Sequence, residues 1–174
     1  MAKDHQWKCT PGYMLMVADG GAVRFEVPSG WYHDFWSPEG EPASIRVCDV
    51  DPPDDNCRLV LSLQRFPIAD IDSLPFGKLH PRLDRPEAHH LRRVGFKLAW
   101  TTLDVIADRT NGRPIRTFIL YGLAPGIQAL LSMSCWEEDY EARLPLWLHV
   151  VETFEMAHHV KDLARGTGVR PHLN

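Results

Sequence analysis

Three apolar runs separated by two glycine-containing breaks constrain the fold of this chain more than any other feature. The runs cover residues 94–107, 114–122 and 126–135, and the breaks contain Asn-Gly at 111–112 and Pro-Gly at 125–126. Asparagine and glycine both tolerate positive φ, so Asn-Gly between apolar runs is a strong signal for a tight hairpin. The segment therefore predicts an antiparallel meander of three strands.

The first and last of these runs differ in regularity. In the last run every second residue from Ile127 to Cys135 is apolar, which is typical of a strand with one buried face. The first run changes parity, from Phe96, Leu98 and Trp100 to Leu103 and Val105. We expect a β-bulge at Thr101-Thr102 to restore one continuous apolar face.

Four more strands are predicted before the meander. Residues 13–17 and 23–27 alternate on either side of an Asp-Gly-Gly sequence, which indicates a hairpin. A third strand begins at residues 45–47, a loop follows over 49–56, and residues 59–64 alternate in a fourth strand. No strand is predicted between the hairpin and the third strand.

Prolines shape the connection over residues 67–92, where they stand at Pro67, Pro75, Pro81 and Pro86. Proline lacks an amide hydrogen and clashes inside a helix, which excludes a long helix or a central strand there. We expect a mobile connection with at most one short helix, over residues 86–93.

A closing helix is predicted after the meander. Ser134 stands three residues before Glu137, the spacing of a capping box, and this places the start of the helix near Trp136. The apolar residues that follow recur at spacings of three and four: Tyr140, Leu144, Trp147, Leu148, Val151 and Phe154. Pro145 should kink this helix or split it in two.

Four aromatic residues crowd the segment after the first hairpin: Trp31, Tyr32, Phe35 and Trp36. The preceding Pro-Ser-Gly turn would let Trp31 fold back over the sheet as a lid. With the other three, the segment has more aromatic side chains than one turn needs to bury. Any that stay exposed would mark a partner or ligand surface. These four residues are our candidate interaction surface.

Composition and charge exclude several classes of protein. The chain has 174 residues, which suits one domain, and 19 basic against 23 acidic residues leave a net charge of −4. Without a basic patch, neither a nucleic acid nor an anionic membrane is expected as a partner. No stretch approaches the ~18 apolar residues of a membrane span and no secretory signal is recognisable, so we expect a cytoplasmic protein.

The cysteines Cys9, Cys48, Cys57 and Cys135 show no Cys-x-x-Cys spacing, which argues against a zinc ribbon or a thioredoxin motif. Two alternatives stay open for Cys48 and Cys57, which flank a turn. They could form a disulfide across a hairpin in an oxidising compartment, or remain small buried groups in a reducing one.

No catalytic, cofactor or metal site is predicted. Adjacent histidines diverge, so the pairs at 89–90 and 158–159 would each have to contribute one metal ligand and would still need another. The acidic loop 49–56 lacks the glycine and glutamate of a calcium-binding EF-hand. The carboxylates at 137–141 are explained by the dipole of a helix N-terminus, and no nucleophile or phosphate-binding motif is recognisable.

The order of these elements, with Val27-Pro28-Ser29-Gly30-Trp31 and Thr153-Phe154, resembles the PsbP-like superfamily over roughly residues 13–157. That superfamily includes an extrinsic photosystem protein, a Ran-binding nuclear import factor and many small bacterial proteins. The resemblance implies an α/β/α sandwich, an α+β fold in which an antiparallel sheet of about six to seven strands packs against helices. It also implies scaffolds or adaptors that bind other proteins, and it brings no catalytic residues.

We therefore expect one domain over residues 13–160, between tails at 1–12 and 161–174. Its predicted function is that of a non-enzymatic, cytoplasmic protein-interaction module of the adaptor or chaperone type. The partner would be another protein, contacted through the candidate interaction surface and the connection 67–92, and a homodimer through a sheet edge or face is compatible with this role.

The alternative is a small-molecule binder or an unrecognised enzyme. It would hold its ligand in a pocket between the sheet and the closing helix, near Trp100, Tyr121, Trp136 or His149.

Overall fold

A computed structural model of the chain describes residues 9–36, 44–65, 70–108 and 111–156. The strands in these ranges are β1 (Tyr13–Ala18), β2 (Val23–Pro28), β3 (Tyr32–Trp36), β4 (Ser44–Cys48), β5 (Cys57–Arg65), β6 (His89–Arg93), β7 (Phe96–Thr102), β8 (Ile106–Ala107), β9 (Pro114–Ala124), β10 (Ile127–Trp136) and β11 (Glu155–Met156). One α-helix, α1 (Tyr140–Thr153), is present in the same ranges. The tail predicted at 161–174 and most of the tail at 1–12 lie outside the described residues.

Eight strands form the main antiparallel sheet, in the order β3-β4-β5-β10-β9-β7-β6, with the short β8 also paired to β9. The predicted meander is confirmed as β7, β9 and β10, because Trp100 and Leu131 both lie opposite Leu120. The sheet is larger than the six to seven strands expected and carries one α-helix rather than several. Two strands that the sequence did not reveal, β3 and β6, lie at its edges.

A second sheet contains three strands, in the order β1-β2-β11. The predicted hairpin is confirmed as β1 and β2, with Tyr13 opposite Pro28 and Ala18 opposite Val23. After α1 the chain returns to this sheet, because Glu155 and Met156 pair with β2. The small sheet and α1 pack on one face of the main sheet, called here its core-side face, and the main hydrophobic core lies between them.

The regular alternation along β10 produces this core. The odd-numbered residues from Ile127 to Cys135 are all buried, and the apolar residues of β5 at Leu59 and Leu61 lie beside them. From the helix, the core receives Trp147, Val150 and Val151. Phe154, which follows α1, stacks on Phe25 of β2 with ring centroids 5.8 Å apart.

The opposite face of the main sheet carries a smaller apolar cluster. Residues 71–84 form three short 3₁₀ turns, and they bury Phe76 and Leu83 against Ala99, Ile119 and Tyr121. The segment from 86 to 93 is not the short helix expected. Residues 89–93 instead form β6, because the turn at Val94-Gly95, with Gly95 at φ +86°, folds them back along β7.

The closing helix differs from the prediction at two places, the Ser134–Glu137 capping box and Pro145. The capping box is not formed, because Ser134 stays in β10 with its hydroxyl 2.9 Å from that of Thr117. A 3₁₀ turn over Glu137–Asp139 follows, and α1 begins at Tyr140. The helix also runs unbroken past Pro145, which removes one hydrogen bond near its start while burial of the later residues holds the helix on the core.

The change of phase in the first meander strand interrupts pairing with β9. Four positions separate Thr102 from Ile106, whereas three separate their partners Phe118 and Ile115, so one extra residue is inserted as in a bulge. The insertion does not restore a continuous apolar face, because Val105 and Ile106 remain exposed.

Gly122 allows the closing segment to cross the main sheet. A Cβ atom added there would lie 2.3 Å from the sulfur of Met156 and 3.1 Å from Cε1 of Phe154. The first distance is too short for a real contact and the second is tight, so a larger residue at this position must shift the Met156 side chain or the segment that carries it. The glycine in the middle of β9 therefore gives the side chains of Phe154 and Met156 room to approach the main sheet closely.

We expect Gly122→Ala to lower the free energy of unfolding by about 1–3 kcal/mol through overpacking, measured by chemical denaturation. Ala107→Val adds bulk on the exposed strand β8 and should change stability by less than about 0.5 kcal/mol. Adding Gly122→Ala to a Met156→Ala variant should cost less than it does in the wild type. An equal cost in both backgrounds would contradict this account of the contact.

Candidate functional site

The candidate interaction surface lies at one edge of the main sheet. Tyr32 and Phe35 belong to β3, which pairs with β4 and with no other strand in the described ranges. Cross-strand register places Tyr32 opposite Cys48 and Phe35 opposite Ile45. Because side chains alternate along a strand, Tyr32 points to the face opposite the core and Phe35 to the core-side face.

Trp31 is half-buried and packs against the main core. Its backbone amide donates to the carbonyl of Pro28 at 3.3 Å, which closes the turn that precedes β3. The guanidinium of Arg143 in α1 lies 5.9 Å from the centre of its ring. Trp31 therefore joins the start of β3 to the helix, in the lid arrangement expected of it.

Tyr32 belongs to a polar network on the face opposite the core. Its hydroxyl donates to Asp34 Oδ2 at 3.3 Å, and Arg46 Nε donates to Asp34 Oδ1 at 3.0 Å. The hydrogen bonds from Arg46 outweigh burial and lower the pKa of Asp34, whereas burial and the Asp34 carboxylate raise the pKa of Tyr32. The network holds β3 against β4 with Asp34 ionised and Tyr32 neutral.

Among the three members whose side chains the structure describes, Phe35 is the exposed one, with 83% of its surface accessible. Its cross-strand partner Ile45 is half-buried and packs against the core. Apolar side chains therefore continue from the core through Ile45 to Phe35 at the free edge of the sheet. Trp36 ends β3 opposite Ser44, and its side chain lies outside the described part of the structure.

The pocket of the alternative function was predicted near Trp100, Tyr121, Trp136 or His149, and these four residues lie in four different places. Trp100 lines a pocket of about 410 Å³ between β7 and α1. Trp136 lines a trough of about 620 Å³ on the opposite face of the sheet, where its indole nitrogen donates to Asn56 Oδ1 at 3.0 Å. Tyr121 is buried in the smaller apolar cluster, and His149 of α1 contacts β2. The structure thus brings a pocket to Trp100 but does not bring these four residues together.

His149 completes a buried polar cluster that the sequence did not reveal. Its Nε2 lies 2.9 Å from Oε2 of Glu26, a residue of β2 that is only 6% exposed, and the amide of Thr10 donates to Oε1 at 3.0 Å. The backbone amide of Glu26 donates to the hydroxyl of Thr153. The only sequence signal was a carboxylate inside an apolar strand, between Phe25 and Val27.

Opposing effects act on the Glu26 carboxyl. Burial tends to raise its pKa, but hydrogen bonds from Thr10 and His149 outweigh burial and lower the pKa below its ordinary value. Burial and the same carboxylate raise the pKa of the nearby Cys9 thiol, so this thiol is not activated as a nucleophile. The cluster joins the N-terminal hairpin to α1 and does not form a catalytic arrangement.

The lowered pKa of Glu26 predicts acid sensitivity. The pKa of the carboxyl in the unfolded chain is about 4.3, so the ionised Glu26 stabilises the fold above that pH, and the contribution is lost as the pH falls through the lower folded pKa. We expect the free energy of unfolding to fall more steeply below about pH 5 in the wild type than in Glu26→Gln. Glu152→Gln, an exposed change on α1, should keep the wild-type slope; equal slopes in all three proteins would refute this role of Glu26.

The cysteines are free thiols. Cys48 and Cys57 lie on opposite faces of the sheet, because Cys48 is opposite Arg58, the neighbour of Cys57. This geometry rules out the disulfide left open from the sequence and leaves two small buried groups. Burial raises the pKa of Cys57 to about 12 and the pKa values of Cys48 and Cys135 to about 11.

Thiol titration tests this assignment. With Ellman's reagent at about pH 8, at most one thiol, Cys9, should react in the native protein, and all four should react after unfolding. Rapid native reaction of Cys48, Cys57 or Cys135 would contradict the burial and the raised pKa of that thiol.

The other sites considered from the sequence hold structural contacts. Asp49 accepts from the backbone amides of Asn56 and Cys57, and so closes the acidic loop. His89 stacks on Trp100, whereas His90 Nε2 lies 3.0 Å from the carbonyl of Leu83; His158 and His159 lie outside the described residues. Within the described ranges, no three His, Cys, Asp or Glu side chains come together as a metal site.

The described helix is also too short and too polar to cross a bilayer.

The carboxylates at the start of the closing helix are paired, Glu137 with Arg116 and Glu138 with Arg113. Hydrogen bonds from Arg116 lower the pKa of Glu137, so this carboxyl is not poised as a general acid near neutral pH.

The fold defines a sheet-rich α+β protein with an eight-stranded antiparallel sheet covered by one helix and a small sheet. The Alr1449 family pattern matches residues 14–160, and the chain belongs to that family. The uncharacterized protein alr1449 of Nostoc sp. strain PCC 7120 is 28% identical over 172 residues, which cover 94% of this chain and 87% of that protein.

Several solved structures are similar to this chain. A protein from Bacteroides thetaiotaomicron VPI-5482 is similar, with a TM-score of 0.57 and 15% identity. The match covers 84% of this chain and 49% of the Bacteroides protein, so this chain spans about half the length of that protein. The Saccharomyces cerevisiae Ran-binding protein Mog1p matches with 9% identity and a TM-score of 0.47, covering 83% of this chain and 95% of Mog1p.

The PsbP of Synechocystis sp. PCC 6803 matches with 13% identity and a TM-score of 0.46, covering 86% of this chain and 98% of that protein. Both kinds of member named from the sequence, a PsbP and a Ran-binding protein, are thus among the solved structures that are similar to this chain.

Proposed function

We propose that this chain is a non-enzymatic, cytoplasmic protein-interaction module of the adaptor type, and that it binds an extended segment of a partner protein along β3. The observation that carries the proposal is the exposure of Phe35 in this edge strand. A large aromatic side chain left in water gains free energy when a partner covers it, and such residues dominate the energetics of many interfaces.

The position of Phe35 favours an extended partner over a globular one. An edge strand presents backbone donors and acceptors on its free side, and a partner strand can satisfy them by extending the sheet. A side chain of the added strand would pack beside Phe35 on the core-side face. Tyr32, Asp34 and Arg46 hold β3 against β4, which preserves the shape of the edge before binding.

The charged and thiol groups support a non-enzymatic role. Glu26, Asp34 and Glu137 are engaged in hydrogen bonds or ion pairs that stabilise the fold. Three buried thiols with raised pKa values are protonated at neutral pH, and free buried cysteines are common in reducing compartments.

A matched pair of variants tests the surface. Phe35→Ser and Val94→Ser each remove an exposed apolar side chain, and Val94, which is 98% exposed, lies in the turn after β6 at the other edge of the main sheet. We expect a partner captured from a lysate of the source organism to bind the purified wild type and Val94→Ser equally. Its affinity for Phe35→Ser should fall about tenfold or more.

Hydrogen exchange with the purified partner tests the mode of binding. Strand addition should slow exchange of β3 amides, whereas docking on another surface should leave them unchanged. Sedimentation of the chain alone tests whether the extended partner is a second copy, in which case Phe35→Ser should dissociate the dimer. Equal partner binding by Phe35→Ser and Val94→Ser would refute the assignment of this edge.

A further inference from the structure

A second site lies at the other edge of the main sheet, where β7 and α1 enclose the pocket of about 410 Å³ beside Trp100. This pocket, called here the Trp100 pocket, is lined from the sheet by Trp100 and Phe118 and from the helix by Tyr140, Leu144 and Leu148. Its volume lies in the range of about 300–1,000 Å³ that small-molecule sites occupy. It is distant from β3 in the strand order, so it is separate from the interaction edge proposed there.

The wall of the Trp100 pocket is apolar and held in place by ring contacts. The imidazole of His89 stacks on Trp100, with ring centroids 5.4 Å apart and an angle of 19° between the planes. On the helix side, Tyr140 packs edge-on against the buried Trp147 at 5.4 Å. Leucine side chains at 144 and 148 lie one helical turn apart and complete the wall. A preformed wall of this kind suits an apolar or aromatic body.

Two hydroxyl groups meet inside the pocket. Thr102 Oγ1 and Tyr140 Oη lie 2.8 Å apart and share one hydrogen bond. Two hydroxyls carry two protons, and the shared bond uses one of them. Whichever hydroxyl donates, the other retains a proton that can be given to an acceptor on a ligand.

The charge at the mouth is negative. Glu87 lines the pocket, is exposed, and makes no hydrogen bond or ion pair with another residue in the described ranges. No lysine or arginine is among the described residues that line the pocket. A cation at the mouth would therefore meet a carboxylate without a competing partner, while an anion would be repelled.

We propose that the Trp100 pocket binds a small aromatic amine that carries a hydrogen-bond acceptor. The aromatic body packs between Trp100 and the leucines of α1, the ammonium group lies at Glu87, and the acceptor takes the spare proton of the Thr102–Tyr140 pair. This binding function goes beyond the interaction at β3 and does not depend on it, because the two sites are on opposite edges of the sheet.

Tyramine is the probe that tests all three features, because it has an aromatic ring, an amine and a phenolic oxygen. Titration into ¹⁵N-labelled protein should give saturable shifts confined to the pocket, including the Trp100 indole resonance, which Trp100→Phe assigns. We expect 3-(4-hydroxyphenyl)propionate, with a carboxylate in place of the amine, to bind about tenfold or more weakly, and phenethylamine, without the phenolic oxygen, to bind several-fold more weakly.

Glu87→Gln removes the charge and keeps the shape. It should lower the affinity for tyramine about tenfold and leave the affinity for the acid unchanged or higher. Glu152→Gln removes an exposed carboxylate from α1 outside the pocket and should bind both probes as the wild type does. Leu148 is 42% exposed, so Leu148→Trp should fold while filling the pocket, and it should abolish binding of both probes.

Any one of four results would overturn the proposal. Equal affinities for tyramine and the acid, or no effect of Glu87→Gln, would refute the role of the ammonium group. Full binding by Leu148→Trp, with wild-type resonances elsewhere, would show that the probe binds at another place. Failure of tyramine to bind saturably to the wild type would refute the pocket as an amine site.

Discussion

Burial of one face of the central strands is the constraint on which the rest of the structure depends. Every odd-numbered residue of β10 from Ile127 to Cys135 faces the core, and β5 and β9 add matching rows on either side. Once this face exists, α1 and the small sheet must cover it, because a bare apolar sheet face is costly in water. Gly122 then allows the two layers to approach each other closely.

The small sheet and α1 cover only part of the core-side face of the main sheet. Both candidate sites lie where this face is left uncovered. The small sheet and α1 pack over the central strands. At the β3 edge Phe35 remains exposed, and at the other edge the Trp100 pocket forms beside α1. The buried Glu26–His149 contact anchors α1 to β2, and it therefore fixes the helix that lines the pocket.

Most strands were predictable because their apolar periodicity and turn chemistry are local properties. The Asn-Gly turn, the alternation along 127–135 and the first hairpin needed no tertiary information. The edge strands β3 and β6 were missed for the opposite reason. Their residues lack regular alternation, and only pairing with β4 and β7 makes them strands.

Sequence alone determined the meander, the first hairpin, the presence of a closing helix and the crowding of aromatic residues before β4. Tertiary structure decided which of the described aromatic side chains stays in water, since Trp31 packs on the core while Phe35 remains exposed at the sheet edge. It also decided that Ser134 bonds Thr117 rather than capping a helix, and that Glu26 meets His149 from 123 residues away. Local pattern encodes backbone conformation, whereas contacts between distant residues depend on how the layers pack.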